Sequence, residues 1–243
     1  MNWNRWTHCL LRNKDCGASR TLVGDIVLIT LFVNDGESRW DENAIETFLQ
    51  KVREAACLLE AAAAKYGVKL QLSAAKAAVT TDRICRPPQC EWALDILKQY
   101  DVENTEEFQR RYEEKFQCNE APVLLVFNKT FRSCASTADV MYPQWDEYSV
   151  LKQDIHPWGI VHELLHQFGA VDLYYPETVK SAAACYLPNS YMCDGYMVDP
   201  LTAYLIGWTD ELNTQAKCFL DQTKNLTRND IVLAVNQEWG KWK

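Results

Sequence analysis

The stretch from Gly24 to Leu72 constrains the fold more tightly than any other part of the chain. Gly24 to Asn34, GDIVLITLFVN, is dominated by Ile, Val, Leu and Phe, the composition of a central strand covered on both faces. After a turn at NDGES the apolar period changes. From Asp41 to Tyr66, Ile45, Phe48, Leu49, Val52, Ala56, Leu59, Ala63 and Tyr66 keep helical spacing, with Gly67 as the stop. Val68, Leu70 and Leu72 then alternate with Lys69 and Gln71, which reads as a half-exposed strand. Strand, long helix and strand in this order imply a right-handed parallel crossover with the helix backing the sheet.

The rest of the chain supplies further layers. Thr80 to Cys90, with its Pro-Pro pair, reads as a loop. Glu91 to Tyr100 and Thr105 to Gln117 read as helices, the second opened by Thr105 as N-cap. Their aromatic residues Trp92, Phe108, Tyr112 and Phe116 are expected to pack. Val123 to Phe127, VLLVF, is another buried strand; Arg132 to Asp139 suits an edge strand or the loop beside one; Glu147 to Lys152 is a last strand. Pro157 stands where a first helical turn tolerates proline, with Asp154 or His156 available as cap. Farther on, Glu177 to Tyr186 is a short helix, Pro188 to Asp199 is turn-rich, and Asp199-Pro200 opens a helix ended by Gly207. The expected class is α/β in the α+β sense: a mixed, mostly parallel twisted sheet with a long backing helix. A single domain over 1–243 is expected, since 48% hydrophobic residues suffice for a sizeable core.

Charge and cysteine narrow the function classes. With 33 acidic against 25 basic residues the net charge is -8, and no long Lys/Arg run occurs, which argues against nucleic-acid and membrane partners. Leu22 to Val33 is interrupted by Gly24 and Asp25 and is too short to span a bilayer. The cytoplasm is therefore the expected compartment, or secretion if a leader was removed, with a monomer as the default. The ten cysteines include no CxxC pair, so a structural zinc knuckle has little support. Cys57 falls among the apolar positions of the long helix, and Cys85 with Cys90 forms the most plausible local bridge in an oxidising compartment.

Chemistry concentrates in Trp158 to Tyr174, WGIVHELLHQFGAVDLY, which reads HExxHxxGxxD. Residues four apart lie on one helix face, so His162 and His166 can reach a single ion while Glu163 projects beside them. Val161, Leu164, Leu165 and Phe168 form a buried stripe on a neighbouring face. Gly169 falls where a left-handed turn is needed, and Asp172 follows at a distance that could return a third ligand. Only four histidines occur in the chain, and two fall in this pattern. Two imidazoles and a carboxylate leave an open position on zinc, and Glu163 is the expected general base.

HELLHQFGAVD resembles the zinc-binding stretch of metzincin metallopeptidases, with Asp172 in place of the usual third histidine, as in the snapalysin-like variant. The resemblance implies one catalytic Zn²⁺ on His162, His166 and Asp172. It also implies a Met-turn at Met192 in NSYMCDG, Met197 being the alternative, and a division at residue 173, with 1–173 bearing the sheet and 174–243 the Met-turn. The implied activity is metalloendopeptidase action on a peptide or protein substrate paired along the edge strand. A zinc-stabilised binding protein and a small-molecule amidase or esterase are the competing readings. Tyr174, Tyr175, Tyr186, Tyr191 and Tyr196 follow the metal stretch, and Tyr191 and Tyr196 are candidates for oxyanion or substrate contact. His156, Cys193 and Asp194 are weaker candidates near the metal, and Cys9 or Cys16 could cover the cleft by placing a thiolate on zinc.

Overall fold

The structure, a computed structural model, describes residues 5–86, 92–138 and 146–240. It begins with a short helix, α1 (Trp6–Leu10), and then enters the expected strand β1 (Gly24–Asn34), helix α2 (Glu42–Lys65) and strand β2 (Leu70–Thr80). The Asp41 carboxylate accepts from the Ala44 N–H to cap α2, and Gly67 ends it at φ +71. β2 runs to Thr80, well past Leu72. It pairs in parallel with β1 over its whole length, from Gly24 opposite Leu70 to Asn34 opposite Thr80.

Helices α3 (Ala93–Leu97) and α4 (Thr105–Phe116) follow. Glu91, the expected start of the first, lies outside the described residues, as do Cys90 and with it the expected Cys85–Cys90 pairing. The cap of α4 is Asn104, whose side chain accepts from the Glu107 N–H. Thr105 is instead the first helical residue, and its hydroxyl bonds to Asp146. Cys57 is a second correction: it lies on the exposed side of α2, because the core-facing stripe passes through Ala55, Ala56 and Leu59.

Strands β3 (Val123–Phe127), β4 (Cys134–Ser136) and β5 (Tyr148–Lys152) complete a sheet of five strands among the described residues, ordered β2-β1-β3-β5-β4. All neighbours are parallel except β4, which runs antiparallel to β5 at the edge. Asp139, the last residue of the expected edge segment, lies outside the described residues. Side chains of β1 alternate between two cores. Ile26, Leu28 and Phe32 face α2 and the helix α5 (Pro157–Gln167), while Val27, Ile29, Leu31 and Val33 face α3 and α4. Burial on both faces is why β1 reads as a continuous apolar run; each such side chain contributes about 1.5–3 kcal/mol.

The chain ends in four helices: α6 (Glu177–Tyr186), α7 (Pro200–Leu205), α8 (Thr214–Thr223) and α9 (Arg228–Gly240). Asp199 caps α7 and Gly207 ends it at φ +82. Among the described residues, no helix is long and apolar enough to cross a membrane. The mixed α/β architecture, with helices on both faces of a mostly parallel sheet, is the fold class expected from the strand and helix signals.

Candidate metal centre

Helix α5 is fixed to the sheet before it offers anything to a ligand. Pro157 occupies its first turn and His156 its N-cap position, without a side-chain cap bond. The buried Gln167 side chain donates to the Val123 carbonyl and the Ser149 hydroxyl, and that hydroxyl donates to the Glu163 carbonyl. Val161, Leu164, Leu165 and Phe168 are buried in the core as expected. The opposite side of the helix therefore holds a fixed position at the cleft.

On that side His162 Nε2 and His166 Nε2 lie 3.2 Å apart. Gly169, at φ +91, turns the chain back in a conformation that favours glycine, and a Cβ there would crowd the Asn13 backbone at 3.2 Å. The return delivers Asp172 Oδ1 to 3.2 Å from each imidazole Nε2. The three atoms thus form an equilateral triangle.

Tautomers decide what this triangle can hold. His162 Nδ1 lies 2.8 Å from the Tyr191 carbonyl and His166 Nδ1 lies 2.9 Å from the Ala170 carbonyl. A carbonyl only accepts, so each Nδ1 carries the hydrogen and each neutral ring turns an Nε2 lone pair to the centre. Asp172 Oδ1 is buried, aimed at the same point and without a hydrogen-bond partner. Three converging lone pairs are stabilised by a cation between them, either a metal ion or a proton held by an imidazole beside Asp172. A tetrahedral ion with ligand distances of about 2.0 Å has ligand–ligand edges of about 3.3 Å, and the 3.2 Å triangle fits one face of it. Among the described residues, His162, His166 and Asp172 are the group of side chains able to hold a metal.

Electrostatics agree with a centre built for positive charge. Burial opposes charge on His162, but Asp172 and Glu163 outweigh it and raise the imidazole pKa to about 9. Burial would raise the Asp172 carboxyl, yet the two histidines hold it well below the usual carboxylate range. Burial raises Glu163, which is 8% exposed and lines the cleft beside His162.

The outer contacts orient the ligands. Tyr175 donates to Asp172 Oδ2 at 2.6 Å, leaving Oδ1 for the centre. The Tyr174 ring stacks on His162 with centroids 6.0 Å apart, and its hydroxyl accepts from Arg132 Nη2 at 3.1 Å. Below them, Ser190 to Gly195 form a tight turn, in which a Cβ on Gly195 would collide with the Asn189 backbone. Met192 is fully buried there, and its carbonyl accepts from Leu173 N at 2.7 Å. Asp199, also buried, accepts from Ser190 Oγ, and Ser190 Oγ accepts from Met192 N.

The remaining candidates fall elsewhere. Tyr191 contributes its carbonyl, whereas its ring is buried in the core and does not line the cleft. Tyr196 is 68% exposed and meets Trp158 edge-on at the rim, and Met197 is exposed. His156 stacks on Trp158 outside the metal group. Cys193 lines the cleft, and the exposed Asp194 pairs with Lys180 at 3.4 Å. Neither Cys9 nor Cys16 joins the metal group: Cys9 is buried, and the Cys16 thiol turns to the Arg12 carbonyl. The cleft comprises a cavity of about 790 Å³, bordered by Phe131, Trp158 and Cys193, and a smaller one of about 200 Å³ toward Thr137 and Asp172. Arg132, Ser133, His162, Glu163 and Tyr174 border both, so the two cavities meet beside the His162 imidazole. Sequence reading passed over Arg132, for which spacing carries no signal, and left Tyr174 and Tyr175 unselected although they adjoin Asp172. No family model matches this chain, and no curated protein shows significant sequence similarity to it.

Proposed function

We propose that the protein is a zinc-dependent metallopeptidase of metzincin type, in the snapalysin-like form with aspartate as third ligand. The observation that carries this reading is the convergence of His162 Nε2, His166 Nε2 and Asp172 Oδ1 at mutual distances of 3.2 Å with their remaining polar atoms tied to the protein. Zinc held there supplies Lewis acidity and brings the pKa of water toward neutrality. The site is open on one side, which favours catalysis over a purely structural, four-ligand role.

The chain's own groups account for the rest. Glu163 accepts a proton from the attacking water and returns it to the leaving amine nitrogen. Tyr174 Oη, held by Arg132, lies at the junction of the two cavities and offers a hydrogen bond to the carbonyl oxygen as negative charge develops there. Among the described residues β4 is the last strand of the sheet and borders the cleft, which places an extended peptide substrate alongside it. The larger cavity, walled by Phe131, Ile155 and Trp158, suits an apolar side chain of that peptide. The Met192 turn beneath the ligands supports the same family reading.

Zinc content and turnover of Glu163→Gln test the proposal together. The wild-type chain is expected to bind one zinc and to cleave peptides in a chelator-sensitive way. The variant is expected to keep its zinc and lose about 10²–10⁴-fold in turnover. Full activity in the variant, or a wild-type chain that binds no zinc, would overturn the reading.

A further inference from the structure

The two ends of the sheet are finished differently. At one end β4 is three residues long and borders the cleft. At the other, β2 runs for 11 residues, LQLSAAKAAVT, with no bulge in its register against β1 and no proline. In a strand the N–H and C=O of one residue point to the same side, and the side alternates from residue to residue. Gly24 N donates to Lys69 O and Thr81 N donates to Asn34 O, so the odd-numbered residues of β2 face β1 and the even-numbered ones face outward. One outward donor is satisfied, since Leu72 N donates to the Glu60 carboxylate at 2.7 Å. Among the described residues, nothing bonds to the outward backbone groups of Ala74, Lys76, Ala78 and Thr80.

Exposed edge strands are ordinarily blunted by charge, proline or a bulge. The one charged residue of β2 is Lys76, and its ammonium is drawn toward α2 by Glu46 at 3.1 Å and Glu42 at 3.6 Å, so it does not guard the edge. The other exposed side chains here are small, which admits a second strand but provides no alternating pockets to select a foreign peptide. They do fit the strand itself. In antiparallel pairing about a twofold axis at Ala77, Ala74 lies opposite Thr80 of the second copy and Lys76 opposite Ala78, and each such pair exchanges two N–H···O bonds. Every open group is then satisfied. Axes at Ala75 or Lys76 would set Ala78 or Thr80 against Leu72, whose N–H Glu60 already holds, and an axis at Ala78 would carry Ala74 past the end of the strand. At the favoured axis the two Ala77 residues meet in the narrower kind of pair, with Cα atoms about 4.5 Å apart, which suits a methyl side chain.

We infer that the outer edge of β2 is a homodimer interface, in which residues 74–80 of two copies pair antiparallel about Ala77 and join two sheets into one. The axis stands perpendicular to the sheet, so α2 of both copies lies on the same face. The strand order puts β4 and its cleft at the far end of each sheet, away from the interface. The inference therefore stands independently of the peptidase reading.

Sedimentation equilibrium of the full-length chain over about 1–100 μM is expected to give twice the 28.0 kDa chain mass. Amide hydrogen exchange followed by NMR is expected to be slower at Ala74, Lys76, Ala78 and Thr80 in the dimer than after dilution to the monomer. Ala77→Glu places two carboxylates across the axis and is expected to raise the dissociation constant at least about tenfold. Ala77→Lys is expected to do the same alone, and an equimolar mixture of the two variants is expected to restore the dimer. Ala78→Pro removes an outward donor at a place where an edge strand tolerates proline, and is expected to give a monomer with unchanged circular dichroism. If that variant loses its fold, mixing of the two Ala77 variants decides the question. A monomer throughout the concentration range, a dimer whose four amides exchange as fast as exposed ones, or Ala77 variants that each dimerise like the unaltered chain would overturn the inference. Protection of those amides only when an unrelated extended peptide is added would assign the edge to a peptide and overturn it equally.

Discussion

His162 donates from Nδ1 to the backbone carbonyl of Tyr191 at 2.8 Å, tying the helix that carries the metal-facing imidazoles to the turn that carries Met192. Because the acceptor is main chain, the Tyr191 side chain is dispensable to this bond, and its ring is buried away from the cleft. Tyr191→Phe is therefore expected to leave zinc affinity and turnover unchanged. A large loss of turnover with zinc retained would instead place the hydroxyl in the chemistry.

The contact from Tyr175 Oη to Asp172 Oδ2 at 2.6 Å orients the shortest of the three ligands. Aspartate tolerates less displacement than histidine would, so its outer partner matters more. Tyr175→Phe is expected to weaken zinc binding by about 10–100-fold, the usual effect of losing such a partner, as measured by competition with a chromophoric chelator. Circular dichroism is expected to be unchanged.

Asp199 joins two elements through one buried carboxylate. It accepts from Leu201 N and Thr202 N at the start of α7, from Thr202 Oγ1, and from Ser190 Oγ in the Met192 turn. Asp199→Ala removes a helix cap, worth about 1 kcal/mol, and strands buried hydroxyls at about 1–3 kcal/mol each. A loss of at least about 3 kcal/mol in urea-induced unfolding is expected. Zinc affinity is expected to fall with it, because the Ser190 hydroxyl holds the Met192 amide.

Stability in acid is expected to depend on Asp35. Burial would raise its carboxyl, but Lys129 and the N–H groups of Cys85, Glu37 and Ser38 prevail and hold the pKa down, from 3.8 to about 2. A native pKa below the unfolded one means that the ionised group stabilises the fold fully above about pH 4, and that this contribution is lost as the pH falls toward 2. Asp35→Asn is expected to lower stability at neutral pH and to flatten the acid limb of the stability curve over that window. An acid limb identical to that of the unaltered chain would refute this assignment.

Much of the fold was legible because local chemistry and global environment agree. β1 lies between two cores and so displays one continuous apolar run; α2 packs one stripe and shows one period, with Asp41 and Gly67 at its ends. Discrepancies arose where neighbours in space overrode local preference. Thr105 is a good cap by type, yet Asp146 engages its hydroxyl and Asn104 caps instead. The extent of β2 was hidden because Ser73 to Ala78 lie on an edge strand with little apolar alternation, and pairing with β1 supplies what propensity does not.

The same division runs through the candidate site. HExxHxxGxxD determines by spacing alone that His162 and His166 share a helix face and that Gly169 can return the chain to Asp172, since a helical turn and a left-handed residue are local properties. The His162 tautomer set by the Tyr191 carbonyl and the Arg132–Tyr174 pair come from segments far apart in sequence. Those relationships are settled only by tertiary packing, because a hydrogen bond or a cavity wall depends on distances between segments that no periodicity within one segment encodes.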